Sequence, residues 1–171
     1  MNLRHLFLNH VAQTSPNPIG LQVKKANGIY LTDLNGKKYI DLISGISVNT
    51  IGHRNKAVVK AIRQQTSRYL HTMVYGEHIQ QPQVRLSQLL CSLLPKQLNS
   101  VFFANSGTEA TEGAMKLAKR FTGRTQIISM KNAYHGSTQG ALSLMSDEYF
   151  TAAFRPLLPG VSYIDYNSIE Q

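Results

Sequence analysis

The 171-residue chain has no tryptophan, a single cysteine (Cys91), and nine acidic residues against eighteen lysines and arginines. One cysteine excludes an intramolecular disulfide and fits a reducing compartment, so a cytoplasmic setting is expected. No apolar run is long enough to span a bilayer, and no membrane role is expected. Low-complexity tracts and internal repeats are missing too, so a repeat array is excluded. Neither G-x-x-x-x-G-K-[ST] nor G-x-G-x-x-G occurs, which leaves nucleoside-triphosphate and dinucleotide sites without their signatures. No acidic residue precedes Asp33. The opening "MNLRHLFLNHVAQTS" nonetheless reads as an ordinary amphipathic helix with Leu3, Leu6, Phe7 and Val11 on one face. Asn9, His10 and Gln13 break any signal-peptide core.

The formal net charge of +9 admits a nucleic-acid partner in principle. The basic residues run from Arg4 to Arg155 and cluster in pairs at most, such as Lys24-Lys25 and Lys119-Arg120. No nucleic-acid motif accompanies them. A solvated basic surface is the simpler reading, and no nucleic-acid partner is expected.

What is present changes character near residue 53. Before it, "LQVKKANGIYLTDLNGKKYIDLISG" predicts an antiparallel meander with Asn27-Gly28 and Asn35-Gly36 as turns. Ile29, Leu31, Tyr39, Ile40 and Leu42 supply strand residues. A helix is expected from Lys56 to Leu70. Another is bracketed by Pro82 and Pro95, with Leu86, Leu89, Leu90, Leu93 and Leu94 as its buried face. The second half alternates: strand "VFFA", a helix over 108–121, strand "QIISM", a loop with a short helix, and strand "VSYI". That alternation predicts an α/β layer with parallel strands. "Asn167-Ser168-Ile169-Glu170-Gln171" has a capping-box spacing and predicts a helix start, as in the front part of a longer chain.

The stretch "NSGTEATEGAMKLAKRF" joins a polar loop to a helix. Ala110, Ala114, Leu117, Ala118 and Phe121 share one helical face, expected to pack on a sheet. Ser106 and Glu109 have capping-box spacing, so the helix starts at the loop. First-turn N–H groups lack intrahelical partners and sit at the positive end of the helix dipole, which suits a phosphate. Gly107 lets the backbone approach, and the Ser106 and Thr108 hydroxyls can add hydrogen bonds. About thirty residues on, "NAYHGSTQGALSL" follows a strand, where ligands of α/β sheets collect. Tyr134 there could stack on a flat heterocycle. Each piece alone has a plain structural reading: an N-cap, a rim tyrosine, a histidine bonded to backbone.

Together, "FFANSGTEATEGAMKLAKRFTGRTQII", "AYHGSTQGALSL" and "GIYLTDLNGKKYIDLISGISVNTIGH" resemble the class III pyridoxal-phosphate aminotransferases, which include acetylornithine, ornithine and 4-aminobutyrate aminotransferases. The resemblance implies an α/β fold of the aspartate aminotransferase type (fold type I). Residues 1–53 would belong to the small domain and 54–171 to the first part of the large domain. It implies pyridoxal 5'-phosphate as cofactor, held by Ser106, Gly107 and Thr108, with Tyr134 on the pyridine ring and His135 and Gly136 completing that loop. Ser44, Gly45 and Val48 would lie near the substrate entrance. An amino acid donor, ω-amino or ornithine-like, and a 2-oxo acid acceptor are implied, as is a homodimer. The lysine that forms the Schiff base and the aspartate that pairs the pyridine nitrogen lie downstream of the "AYHG" loop in this family. Lys116, Lys119, Lys131 and Asp165 do not match them, so no catalytic residue is expected in the chain and it should not transaminate alone. The resemblance also implies that "VFFA" lacks lateral strand partners here. A glutamate-semialdehyde aminomutase-like enzyme and a non-catalytic phosphate- or cofactor-binding module are the alternatives. No metal site is expected.

Overall fold

Side-chain caps and left-handed residues punctuate the first part of the chain. In the computed structural model, which describes residues 2–73 and 76–170, α1 (Leu3–His10) starts where the Asn2 side chain accepts from the Arg4 N–H at 3.0 Å. The meander follows as β1 (Val23–Asn27), β2 (Tyr30–Asp33) and β3 (Lys38–Ile40), antiparallel in that order. Asn27 pairs with Tyr30, so the first turn is Gly28-Ile29. That is one residue later than the expected Asn27-Gly28, and it removes Ile29 from the strand set. The reason is local: Gly28, at φ +56°, takes the left-handed position and exchanges both backbone hydrogen bonds with His53, at 3.0 and 2.8 Å. The second turn contains Asn35-Gly36 as expected. There the Asp33 carboxylate accepts from the N–H groups of Asn35 and Lys37, both at 2.9 Å.

Beyond β3, α2 (Ser44–Ser47) is a single turn wound left-handed, with φ of 51°, 62°, 57° and 66° at Ser44, Gly45, Ile46 and Ser47. L-residues resist this conformation because Cβ crowds the following carbonyl oxygen. Then α3 (Lys56–Thr66), capped by Asn55, ends four residues before the expected Leu70.

These elements form one compact unit, Met1–Ile79; a second spans Gln80–Gln171. The compositional change near residue 53 thus falls inside the first unit. The second unit holds α4 (Gln81–Leu93), α5 (Gly107–Thr122), β4 (Ile127–Met130), α6 (Gln139–Ser143), α7 (Glu148–Thr151) and β5 (Val161–Ile164). β4 and β5 pair in parallel, from Ile127 opposite Val161 to Met130 opposite Ile164. Residues 101–104 form no ladder with any described residue. A strand is made by its lateral hydrogen bonds, and "VFFA" has none to make here. The expected helix start at Ser168 is a turn instead, with the Ser168 N–H bonded to the Asp165 carbonyl at 3.2 Å. Gln171, the other half of that capping box, lies outside the described residues.

Among the described residues the buried apolar side chains are Met115, Ala141, Leu142, Leu144 and Met145, all in the second unit. The faces that the sequence offers for burial are elsewhere. On α5, Ala110, Ala114, Leu117, Ala118 and Phe121 are all exposed, Phe121 at 87%. The covered side instead carries Thr108, Thr111, Glu112 and Met115. The leucines of α4 are exposed as well. An amphipathic pattern states which face wants cover; only a partner element supplies it. The accessible surface is 14607 Å². Two independently folded domains of about half this mass would together show roughly 10,000 Å².

Candidate functional site

The loop before α5 and the loop after β4 meet around the first turn of α5. Ser106 is the N-cap, its hydroxyl oxygen accepting from the Glu109 N–H at 3.3 Å. The reciprocal half of the box is displaced by one residue. The Glu109 carboxylate accepts from the Asn105 N–H at 2.7 Å rather than from Ser106. By helix geometry the N–H groups of Gly107 and Thr108 have no carbonyl four residues back to bond. A Cβ on Gly107 would meet nothing within 4 Å, so the space above this turn is open. At the far end, Gly123 closes the helix in a left-handed cap, and Lys119 and Arg120 complement the dipole.

The facing loop is anchored from three directions. The Thr111 hydroxyl is within 3.0 Å of the Gly107 carbonyl and 3.2 Å of the His135 carbonyl. On β4, the Ser129 hydroxyl donates to the Leu144 carbonyl at 2.7 Å. Its one hydrogen is thereby used, so its 3.2 Å contact with His135 Nε2 has the imidazole as donor. That assigns the Nε2-protonated tautomer to a neutral His135 and ties the ring to the sheet rather than to backbone. Gly136 has φ +126°, and a Cβ there would collide with Thr108. Only glycine lets this loop approach the helix so closely.

Thr108, Thr138 and Glu112 form a directed chain. Thr138 donates its hydroxyl hydrogen to Glu112 Oε1 at 2.6 Å. The 2.7 Å contact between the Thr108 and Thr138 hydroxyls must then run from Thr108 to Thr138. The Thr138 N–H also reaches the Thr108 oxygen at 3.3 Å. The Thr108 hydroxyl, expected from the sequence to donate to a ligand, has no hydrogen left for one. What Thr108 offers outward is its N–H. The Glu112 carboxyl is held below its ordinary range, chiefly by the Thr138 hydrogen bond and also by the N–H groups of Ala141 and Gly140 and the charge of Lys116. Burial opposes this.

Ser106, Gly107, Thr108, Thr111, Tyr134, His135, Gly136 and Ser137 together line a recess of about 470 Å³. All five residues expected at a cofactor site, Ser106, Gly107, Thr108, Tyr134 and His135, therefore come together. Tyr134 is 67% exposed, with its hydroxyl 3.2 Å from Ser137 and its ring edge-on to Phe150, 6.3 Å between centroids. Backbone donors with a hydroxyl at one end and an aromatic face at the other suit a ligand that joins an anion to a flat ring. Thr111, Glu112, Ser129 and Thr138 were not singled out from the sequence. The available signal was the spacing of Thr108, Thr111, Glu112 and Met115 along one helical stripe.

Ser44, Gly45 and Val48 lie in the first unit, on and just after the left-handed turn, with Val48 exposed. A second unforeseen pair holds this segment. Asp41 Oδ2 and His53 Nε2 are 2.7 Å apart and largely buried, and Asp41 Oδ1 accepts from the Ser44 N–H at 2.8 Å. Both contacts hold the Asp41 carboxyl below its ordinary range, the His53 hydrogen bond most.

A family profile described as "Aminotransferase class-III" matches residues 11–171. An acetylornithine aminotransferase from Methanopyrus kandleri is 42% identical over 144 residues, which cover 83% of this chain and 36% of that protein. The crystal structure of adenosylmethionine-8-amino-7-oxononanoate aminotransferase from Methanocaldococcus jannaschii superposes with a TM-score of 0.86 at 32% identity, over 94% of this chain and 39% of that one. Taurine:2-oxoglutarate aminotransferase from Bifidobacterium kashiwanohense, solved with PLP and glutamate, gives 0.84 at 31% identity, over 94% of this chain and 36% of that one. The chain thus spans less than half the length of each of these relatives.

Proposed function

The chain belongs to the class III aminotransferases, and from that premise we propose that its protein moves an amino group from an amino acid donor to a 2-oxo acid with pyridoxal 5'-phosphate. The donor we propose is ω-amino or ornithine-like, in keeping with relatives such as the acetylornithine aminotransferase. The observation that carries the reading is the recess, where anion donors and an aromatic face lie on opposite loops. The N–H groups of Gly107 and Thr108 and the Ser106 hydroxyl would hold the phosphate. The Tyr134 ring would cover one face of the heterocycle. His135, tied to Ser129, would help hold that loop against the sheet. When bound, the cofactor supplies an electron-withdrawing ring that acidifies the donor's proton. The domain assignment proposed with it puts residues 1–53 in the small domain and 54–171 in the large one. Ser44, Gly45 and Val48 would face the substrate entrance, and a second copy of the protein is the expected partner.

The family's lysine and aspartate match no residue among 1–171. Of the candidates, Lys131 is engaged, its Nζ 2.8 Å from Asp165. Residues 1–171 alone should therefore bind without transferring nitrogen. The test uses the protein expressed from its own gene, pyridoxal phosphate, ornithine or N-acetylornithine, and 2-oxoglutarate. Glutamate formation supports the reading. Isomerisation of glutamate 1-semialdehyde, which carries both the amine and the carbonyl that receives it, with no acceptor added marks the aminomutase, and a protein that takes up no cofactor ends the enzyme reading.

A further inference from the structure

Glu112 stands outside the recess, yet one of its oxygens joins the end of the facing loop to the first turn of α6. Glu112 Oε1 accepts from Thr138 Oγ1 at 2.6 Å, from the Gly140 N–H at 2.9 Å and from the Ala141 N–H at 3.1 Å. The last two are first-turn donors of α6, so a carboxylate from α5 caps its neighbour. Gly140 is buried, and a Cβ there would collide with this carboxylate, so the fit is close. Through Thr138 the same oxygen orients the Thr108 hydroxyl, and Thr108 is a wall of the recess. No buried polar side-chain atom among the described residues is left unsatisfied. The network therefore has one arrangement rather than several.

We propose that Glu112 is the positioning residue of the cofactor recess: it locks the 134–138 loop onto the first turn of α5 and so sets the distance between the phosphate donors and the Tyr134 ring. This rests on the cofactor reading above. The two ends of such a ligand are held on different segments, which the Thr108–Thr138–Glu112 chain spans alongside the Thr111 hydroxyl's contact with the His135 carbonyl. Weakening it should loosen the ring end relative to the phosphate end. A bound ligand would then be less ordered as well as less tightly held.

The test compares Glu112→Ala, Glu112→Gln and Thr138→Val in the protein expressed from its own gene. Amide hydrogen exchange is read first, without cofactor. Glu112→Ala should lose protection at Gly140, Ala141 and the 134–138 loop while β4 and β5 keep theirs. Pyridoxal phosphate affinity and the visible circular dichroism of the bound chromophore are read second. Glu112→Ala should weaken binding by about tenfold or more, in line with losing charge-assisted bonds, and flatten the dichroism. Glu112→Gln keeps an acceptor oxygen and should recover most of both. A role confined to fold stability would lower the melting temperature without this rescue pattern in the dichroism. If Glu112→Ala does not fold, Thr138→Val cuts the link to Thr108 but leaves the α6 cap, and it should still flatten the dichroism. Unchanged exchange at 134–141 overturns the positioning role whatever the ligand is. Wild-type protein that binds no pyridoxal phosphate overturns the cofactor reading instead, and the cofactor half of this inference with it. Binding within twofold of wild type and full dichroism in both Glu112→Ala and Thr138→Val overturn the inference alone.

Discussion

The two units are held together by different means. Gln80–Gln171 contains every buried apolar side chain among the described residues, gathered at Met115 and along 141–145. Among the described residues of Met1–Ile79 there is none, and Thr32 is the one buried residue; this unit relies on the meander's ladder, the Gly28–His53 bridge and the Asp41–His53 pair. The contrast shows where rigidity is invested. In the second unit most of the core lies along 141–145, soon after the 134–138 loop, so packing and the Glu112 cap fix neighbouring residues. In the first unit a strained, exposed turn hangs on hydrogen bonds. Loops that carry function commonly sit on a scaffold that is stiffer than they are.

The comparison breaks most severely at the core. Met145 is 2% exposed, and Met145→Ala should cost about 2–5 kcal/mol. Exchange in β4, β5 and α6 should rise steeply, while the meander amides stay unchanged. Equal loss in both units would show that they unfold as one. Next, Asp41→Ala removes the clamp of the first unit. Protection at the Ser44, Gly28 and His53 amides should fall by about tenfold, with none lost at Gly140 or Ala141. If Ser44 keeps its protection, the turn is held by its own backbone.

Acid should affect both units, for the same reason. The Asp41 and Glu112 carboxyls are both depressed in the folded state. Their stabilisation is complete above the ordinary carboxylate range and is lost as pH falls through the depressed values. Folded-state protection should therefore decline at acidic pH in each unit. Asp41→Ala should remove part of the pH dependence in the first unit only, and Glu112→Gln in the second only. A pH profile that neither variant alters would place the acid sensitivity in other groups.

The smallest effect is a gain. Ile46 is 87% exposed and left-handed, so Ile46→Gly loses little contact. Relief of about 1–2 kcal/mol is partly offset by glycine's extra chain entropy of about 0.5–1 kcal/mol. A net stabilisation of about 0–1.5 kcal/mol is expected from denaturant unfolding. Destabilisation would mean that the Ile46 side chain has a partner that covers it in solution.

Much of the site was legible. Ser106-Gly107-Thr108 announced a helix start with open backbone donors, and the helix begins there. Tyr134 and His135 were placed at a strand end, and they reach the same recess. Spacing shows the Thr108 hydroxyl beside the open donors but not its direction, which depends on Thr138 thirty residues away. Glu112 carries no mark in the sequence, since a carboxylate on a helix usually faces water and nothing in "TEATEG" names the α6 amides as its partners. The Asp41–His53 pair was hidden for the same reason, with twelve residues between the two groups.

The sequence by itself determined the local elements: the asparagine caps, the second meander turn, the N-cap at Ser106, the glycine that ends α5, and the family. Those depend on contacts a few residues apart, which spacing and residue type encode. Only the tertiary structure decided which face of α5 is covered, whether "VFFA" is a strand, and where the hydrogens of the Thr108–Thr138–Glu112 chain point. Burial and strand pairing are properties of two segments at once. The apolar face of α5 records a demand for cover, and the stripe of Thr108, Thr111, Glu112 and Met115 is what is covered instead.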